Sequence, residues 1–167
     1  MLNRLYFHLA KFIPFYLWVI VGCIAFGKSY AVSINLTYSL PGTLFLIEKQ
    51  KAADPGIGEM AAFLYDGKAF YRKGSIFVKI VKGKAGSVVE AKEVEQGVYD
   101  YFVDGVYTGR NKLFSQTGMP IRRAGTGVVP EDHFYMFGTH PDSLDSRYEV
   151  VGWVPRGHII GLAHRIF

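Results

Sequence analysis

Cysteine is almost absent. The single Cys23 in 167 residues excludes an intrachain disulfide, so the fold must hold by packing alone. Charge is also sparse, at 20 % of residues against 50 % hydrophobic and 16 % aromatic, which excludes a disordered or fibrous chain. Although the net charge is +5 and the isoelectric point near 9.3, the basic residues are scattered. With no arginine-rich block or aromatic-interleaved basic stripe, no nucleic-acid partner is expected, and the charge suits anionic lipid headgroups. Also missing are a Walker loop, a dinucleotide fingerprint and a helix-borne H-E-x-x-H, so neither a cofactor nor a metal is expected. The five histidines, His8, His133, His140, His158 and His164, show no triad or metal-ligand spacing and read as surface or strand-end residues. Only His140-Pro141-Asp142 has a motif-like setting. No internal repeat or low-complexity segment occurs, and the length allows one packed domain but not two plus an anchor.

Charge is missing altogether between Phe12 and Phe26, a run of about 22 Å at helical rise that Leu9, Ala10 and Ala31 to Ile34 can lengthen toward a hydrocarbon core. Residues 1–34 are therefore expected to form a membrane anchor or signal segment, and residues 35–167 the folded domain. Arg4 and Lys11 precede the run and Lys28 follows it, a bias that favours a cytoplasmic N-terminus. Two alternatives stay open: a cleaved secretory signal, and lipidation at Cys23, because Ile20-Val21-Gly22-Cys23 is similar to a lipobox. As a plain buried residue of an apolar helix, Cys23 needs neither.

Beyond Ile34, short runs rich in Val, Ile, Phe and Tyr alternate with Gly, Pro and Asp signals, the pattern of a mainly antiparallel β domain. Strands are expected at Leu44 to Ile47, Met60 to Tyr65, Ser75 to Val81, Val98 to Val103, Val106 to Thr108, His133 to Phe137 and His158 to Ala163. Asp104-Gly105 predicts a two-residue hairpin turn. Residues Gln50 to Gly58 and Leu113 to Gly127 read as loops, the second long enough to reach a substrate.

Two residues carry chemistry. Lys79 interrupts the apolar run Ile76 to Val81, so a strand apolar on both faces buries it wherever it points. Burial disfavours the ammonium and turns a lysine into a neutral general base; alternatively, its stem covers apolar surface while the amine reaches water. Lys82 and Lys84 flank a turn at Gly83 and look solvated. Ser39 lies in TYSLPGTL, two residues before Pro41, which holds the segment extended and would present the hydroxyl at an exposed strand edge; an ordinary turn serine is the competing reading.

Read in order, several segments resemble the boxes of the bacterial type I signal peptidase family. Ser39-Leu40-Pro41 is similar to its S-x-P nucleophile box, and Ile57 to Phe63 to its R-G-D-x-V-x-F strand. Phe77 to Ser87 resembles the Y-I-K-R-x-x-G-x-P-G-D box that carries its lysine. Gly138 to Arg147 resembles G-D-N-R-x-x-S-x-D-S-R, and Gly152-Trp153-Val154-Pro155 with Ile159-Ile160-Gly161 its tail. The resemblance runs from Thr37 to the C-terminus. It departs at Thr139-His140-Pro141, where the box is one residue short, at Ile80 for arginine, and at Ala85-Gly86-Ser87 for Pro-Gly-Asp.

The resemblance implies a signal-peptidase-like β domain behind one N-terminal transmembrane helix, anchored in a bacterial inner membrane with the domain in the periplasm. It implies Ser39 as nucleophile, Lys79 as general base, Thr37 as an oxyanion donor, Ser143 as the hydroxyl that orients the lysine, and Asp145 with Arg147 as a supporting ion pair. The partner it implies is a precursor protein. The single anchor, the S-x-P spacing and the loose last box are closest to the conjugation-type branch that processes pilins, some members of which join the ends of the product. A general signal peptidase, and an inactive membrane-tethered component of a conjugation or secretion apparatus, are the alternatives.

Overall fold

A computed structural model describes residues 2–35, 37, 39–49 and 53–167, with side chains from residue 10 onward. Helix α1 spans Leu2–Ser29 and runs straight into strand β1, Tyr30–Ile34. Within it, Ala10–Ser29 is long and apolar enough to cross a membrane, and none of it is buried against the domain. Residues 31–34 therefore do not lengthen the helix as expected. Their Val and Ile side chains, stiff at χ1, favour the extended chain, and β1 pairs with β2, Leu44–Lys49, instead.

The other strands are β3 (Met60–Leu64), β4 (Ile76–Gly83), β5 (Val88–Glu95), β6 (Val98–Val103), β7 (Val106–Arg110), β8 (Gly127–Val128), β9 (His133–Phe137), β10 (Val154–Pro155) and β11 (Ile159–Arg165). They form a seven-stranded sheet, β1-β2-β11-β3-β4-β9-β10, and a four-stranded sheet, β7-β6-β5-β8. Every strand pair is antiparallel. Asp104 and Gly105 have φ of 51° and 78°, both positive as a type I′ hairpin turn between β6 and β7 requires. Four expected strands, those at Leu44, Ser75, Val106 and His158, run two residues further; the one expected to reach Tyr65 stops at Leu64, and those expected from Ser75 and His158 begin at Ile76 and, after a short 3₁₀ turn, at Ile159.

The larger sheet is covered on both faces. Ala61 and Phe63 of β3 join Val81, Phe134, Met136 and Ile159 in one cluster, while Ala62 points the other way to Phe45, Ile47, Val78 and Leu40. That two-sided burial is why β4 is apolar at successive positions. Gly161 is fixed by the close pairing of β11 with β2: a Cβ there would lie 1.8 Å from the Glu48 carbonyl oxygen. The smaller sheet packs through Val89, Tyr101, Val103 and Val129 onto Tyr135 of β9.

Candidate functional site

Lys79 lies in the middle of β4 opposite Ala61, with 3 % of its surface exposed. The small partner leaves room for the lysine stem, and its ammonium sits 5.6 Å from the centre of the Phe77 ring. No carboxylate pairs with it among the described residues. Burial pushes its pKa down to about 8; the Asp145 charge opposes that and the Arg147 charge adds to it. Lys84, expected to be solvated, instead pairs with Asp54 at 2.7 Å and lies over Phe134.

Ser39 lies in the connection between β1 and β2, and the structure corrects the expectation of an exposed edge: the residue is 5 % exposed. Three ties hold it there. Leu40, next in sequence, is 2 % exposed in the cluster around Phe45 and Ile47. The Asn35 side-chain amide donates to the Leu40 and Gly42 carbonyls at 2.8 and 3.1 Å, and the His140 N–H donates to the Ser39 carbonyl at 3.3 Å. Gly42, at φ 113°, passes under Arg165 and the Phe167 carbonyl, where a Cβ would stand 2.5 Å from the Arg165 stem.

Residues 138–147, after β9, wrap around this serine. Asp145 and Arg147 are 0 % and 2 % exposed and form a two-pronged ion pair, Arg147 Nε to Oδ1 and Nη2 to Oδ2, each at 2.8 Å. Asp145 also accepts from the Gly138 N–H at 3.0 Å, and Arg147 donates to the Arg110 carbonyl at 2.7 Å, joining the two sheets. A buried pair so fully hydrogen-bonded fixes the loop's shape. Ser143 is 2 % exposed, and its hydroxyl makes no hydrogen bond among the described residues. A buried hydroxyl without a protein partner is costly and rare.

Gly138 permits this close approach. A Cβ there would fall 2.0 Å from Ser143 Oγ and 2.9 Å from the Ser39 carbonyl oxygen. Ser39, Lys79, Ser143 and Thr37 line one cleft of about 190 Å³, walled by residues 33–35 on one side and 75–78 on the other. Thr37 sits at its exposed rim, where its hydroxyl donates to Asn35 Oδ1 at 3.3 Å. All six residues singled out in the sequence thus fall in or directly behind this cleft. Two others escaped the sequence reading, Asn35 and Gly138. An asparagine at the end of a strand before an extended serine segment is a loop-bracing signal that could have pointed to the first. Among the described residues no group of histidine, cysteine and carboxylate side chains is arranged to hold a metal ion.

A serine and a desolvated amine in one cleft, backed by a buried hydroxyl, can perform acyl transfer without histidine. A family model described as signal peptidase, peptidase S26, matches residues 5–167. A search of curated proteins found no match.

Proposed function

The chain belongs to the signal peptidase family, peptidase S26, and from that premise we propose that it is a membrane-anchored endopeptidase that uses a Ser39/Lys79 dyad to process a conjugative pilin or other exported precursor. The observation that carries this reading is the burial of Lys79, with its pKa lowered to about 8, in the cleft that also holds Ser39. A scaffold gains nothing from a desolvated amine, which favours activity over an inactive tether.

In this reading neutral Lys79 takes the Ser39 hydroxyl proton as the oxygen attacks the scissile carbonyl. The tetrahedral oxyanion receives hydrogen bonds from the Ser39 N–H and the Thr37 hydroxyl. The Lys79 ammonium then returns its proton to the leaving amine, and the precursor stays bound to Ser39 as an ester. Ser143, whose hydroxyl has no other partner, orients the lysine amine, and the Asp145–Arg147 pair and Gly138 hold Ser143 in place. A nucleophile deprotonated by Lys79 resolves the ester. Water gives a trimmed product, whereas the precursor's own amino terminus gives a ring.

Helix α1 supports the anchor, with the N-terminus in the cytoplasm and the domain on the periplasmic side of the inner membrane. The conjugation-type branch rests on the S-x-P spacing of Ser39-Leu40-Pro41 and the short Thr139-His140-Pro141 segment.

Mass spectrometry of a pilin precursor co-expressed with the wild-type chain, and with Ser39→Ala, tests the proposal. Trimming by the wild type alone is expected, and a product lighter by one further water shows joined ends. Trimming that persists with Ser39→Ala refutes the dyad. A signal-peptide-bearing precursor trimmed while the pilin is left intact assigns the general signal peptidase role.

A further inference from the structure

The cleft does not end at the dyad. Tyr71, Asp142 and Leu144 line both the 190 Å³ cleft and a second cavity of about 340 Å³ on their far side. The second cavity is floored by apolar groups, Phe70, Phe114, Met119 and Ile121 among them. Phe114 and Met119 are 57 % and 55 % exposed.

This wall is built. Residues 113–121 close on themselves: the Ser115 N–H donates to the Met119 carbonyl and the Ile121 N–H to the Leu113 carbonyl, both at 2.8 Å, and the Met119 N–H donates to Ser115 Oγ at 3.1 Å. The loop is then fastened to the catalytic side of the domain. The Lys112 ammonium pairs with Asp142, the Gln116 amide donates to it at 3.0 Å, and the Lys112 N–H donates to the Tyr148 hydroxyl at 3.0 Å. On the opposite wall Phe70 adopts φ 67°, which a bulky residue accepts only where its surroundings require it.

We propose that this second cavity is a distal subsite that takes a bulky apolar side chain, aromatic or leucine-sized, of the same polypeptide that is cut at the dyad. The inference rests on the peptidase reading. An extended substrate bound at Ser39 runs along the cleft to the Tyr71–Asp142–Leu144 divide, and a side chain reaching over that divide enters the cavity that adjoins it. Apolar side chains make up the larger part of its lining, the two charged ones, Lys112 and Asp142, neutralise each other, and Gln116 donates to Asp142. The bulky residue, at its fixed distance from the bond, would then help set which precursors are cut.

The test uses the full-length chain in detergent and fluorescence-quenched decapeptides of alanine and serine, in which one phenylalanine is stepped from end to end. With the wild type, phenylalanine at one position away from the cut is expected to raise kcat/KM about 10- to 100-fold over the all-small peptide. The same scan with Met119→Asp and with Phe114→Asp, both at exposed positions where a carboxylate is tolerated, is expected to lose that peak. Peptides cleaved by the wild type with no preferred position overturn the subsite, and so does a peak that survives both substitutions. If the wild type cuts neither these peptides nor a co-expressed precursor, the peptidase reading itself fails, and the subsite with it.

Discussion

Replacing Lys79 by methionine should stabilise the protein at neutral pH, and the gain should vanish in alkali. Lys79 is 3 % exposed, and burial moves its pKa from 10.5 to about 8. At about 1.4 kcal/mol per tenfold change, that gap corresponds to a cost of about 3 kcal/mol for keeping the ammonium in the folded state. Below pH 8 the folded and unfolded chains both carry the proton, so the whole cost is present. Between pH 8 and 10.5 the unfolded chain binds the proton and the folded chain has shed it, so stability rises with pH; above 10.5 the cost is gone. Methionine matches the stem in length and bulk and carries no charge, so Lys79→Met should raise the melting temperature by about 8 °C at pH 7 and by little at pH 10.5. The assay is thermal unfolding of both full-length chains in the same detergent, read as their difference so that other titrating groups cancel. A gain equal at the two pH values, or a variant less stable at pH 7, would refute a buried, destabilised amine.

In the proposed dyad the same amine should also govern the rate. Precursor cleavage should rise about tenfold per pH unit up to about pH 8 and then level, since only the neutral form accepts the serine proton; a profile flat from pH 6 to 10 contradicts it. Ser39→Ala should abolish processing with the melting temperature retained; Lys79→Arg should abolish it as well, because an arginine never gives up its proton at working pH, and should lower the melting temperature, because a bulkier permanent charge then occupies the buried site. Gly138→Ala puts a methyl group 2.0 Å from Ser143 Oγ, and the displaced hydroxyl should cost about 100-fold in kcat, measured alongside circular dichroism to show that the sheets persist. Asp145→Ala strands the Arg147 guanidinium, 2 % exposed, and should cost about 3–5 kcal/mol, seen as a melting temperature lower by about 10 °C or more.

The strands that were legible from sequence are those whose residues alternate or run apolar against a core, as in His133–Phe137 and Val98–Val103. Strand β5, VVEAKEVE, gives little strand signal in the sequence because only Val89 and Ala91 turn inward while its charged residues are exposed, and such a composition looks like a charged loop. Strand β1 was absorbed into the anchor because β-branched residues are as greasy as helix formers, and only the partner strand reveals the difference. For the site, types and order were legible and contacts were not. Nothing in one sequence says that Gly138 must lack a side chain because Ser143 and Ser39 converge on it from opposite directions. The second cavity lay equally out of sight, since its walls come from three separate stretches that meet only after folding.

Helix α1 ends at Ser29 and β1 begins at Tyr30, and the joint is stiffened by the Phe26–Tyr30 ring stack and by the Lys49 ammonium donating to the Gly27 carbonyl at 2.6 Å. A tether of loose residues would let the domain sweep a range of heights above its anchor. Here β1, five residues or about 17 Å long, joins the helix without a linker, and the segment that carries Ser39 follows it. Were α1 to cross a bilayer, as proposed, so short and stiff a joint would make the domain a gauge of fixed reach: among many bonds of suitable chemistry, it would meet those that a precursor presents at one distance from the lipid surface.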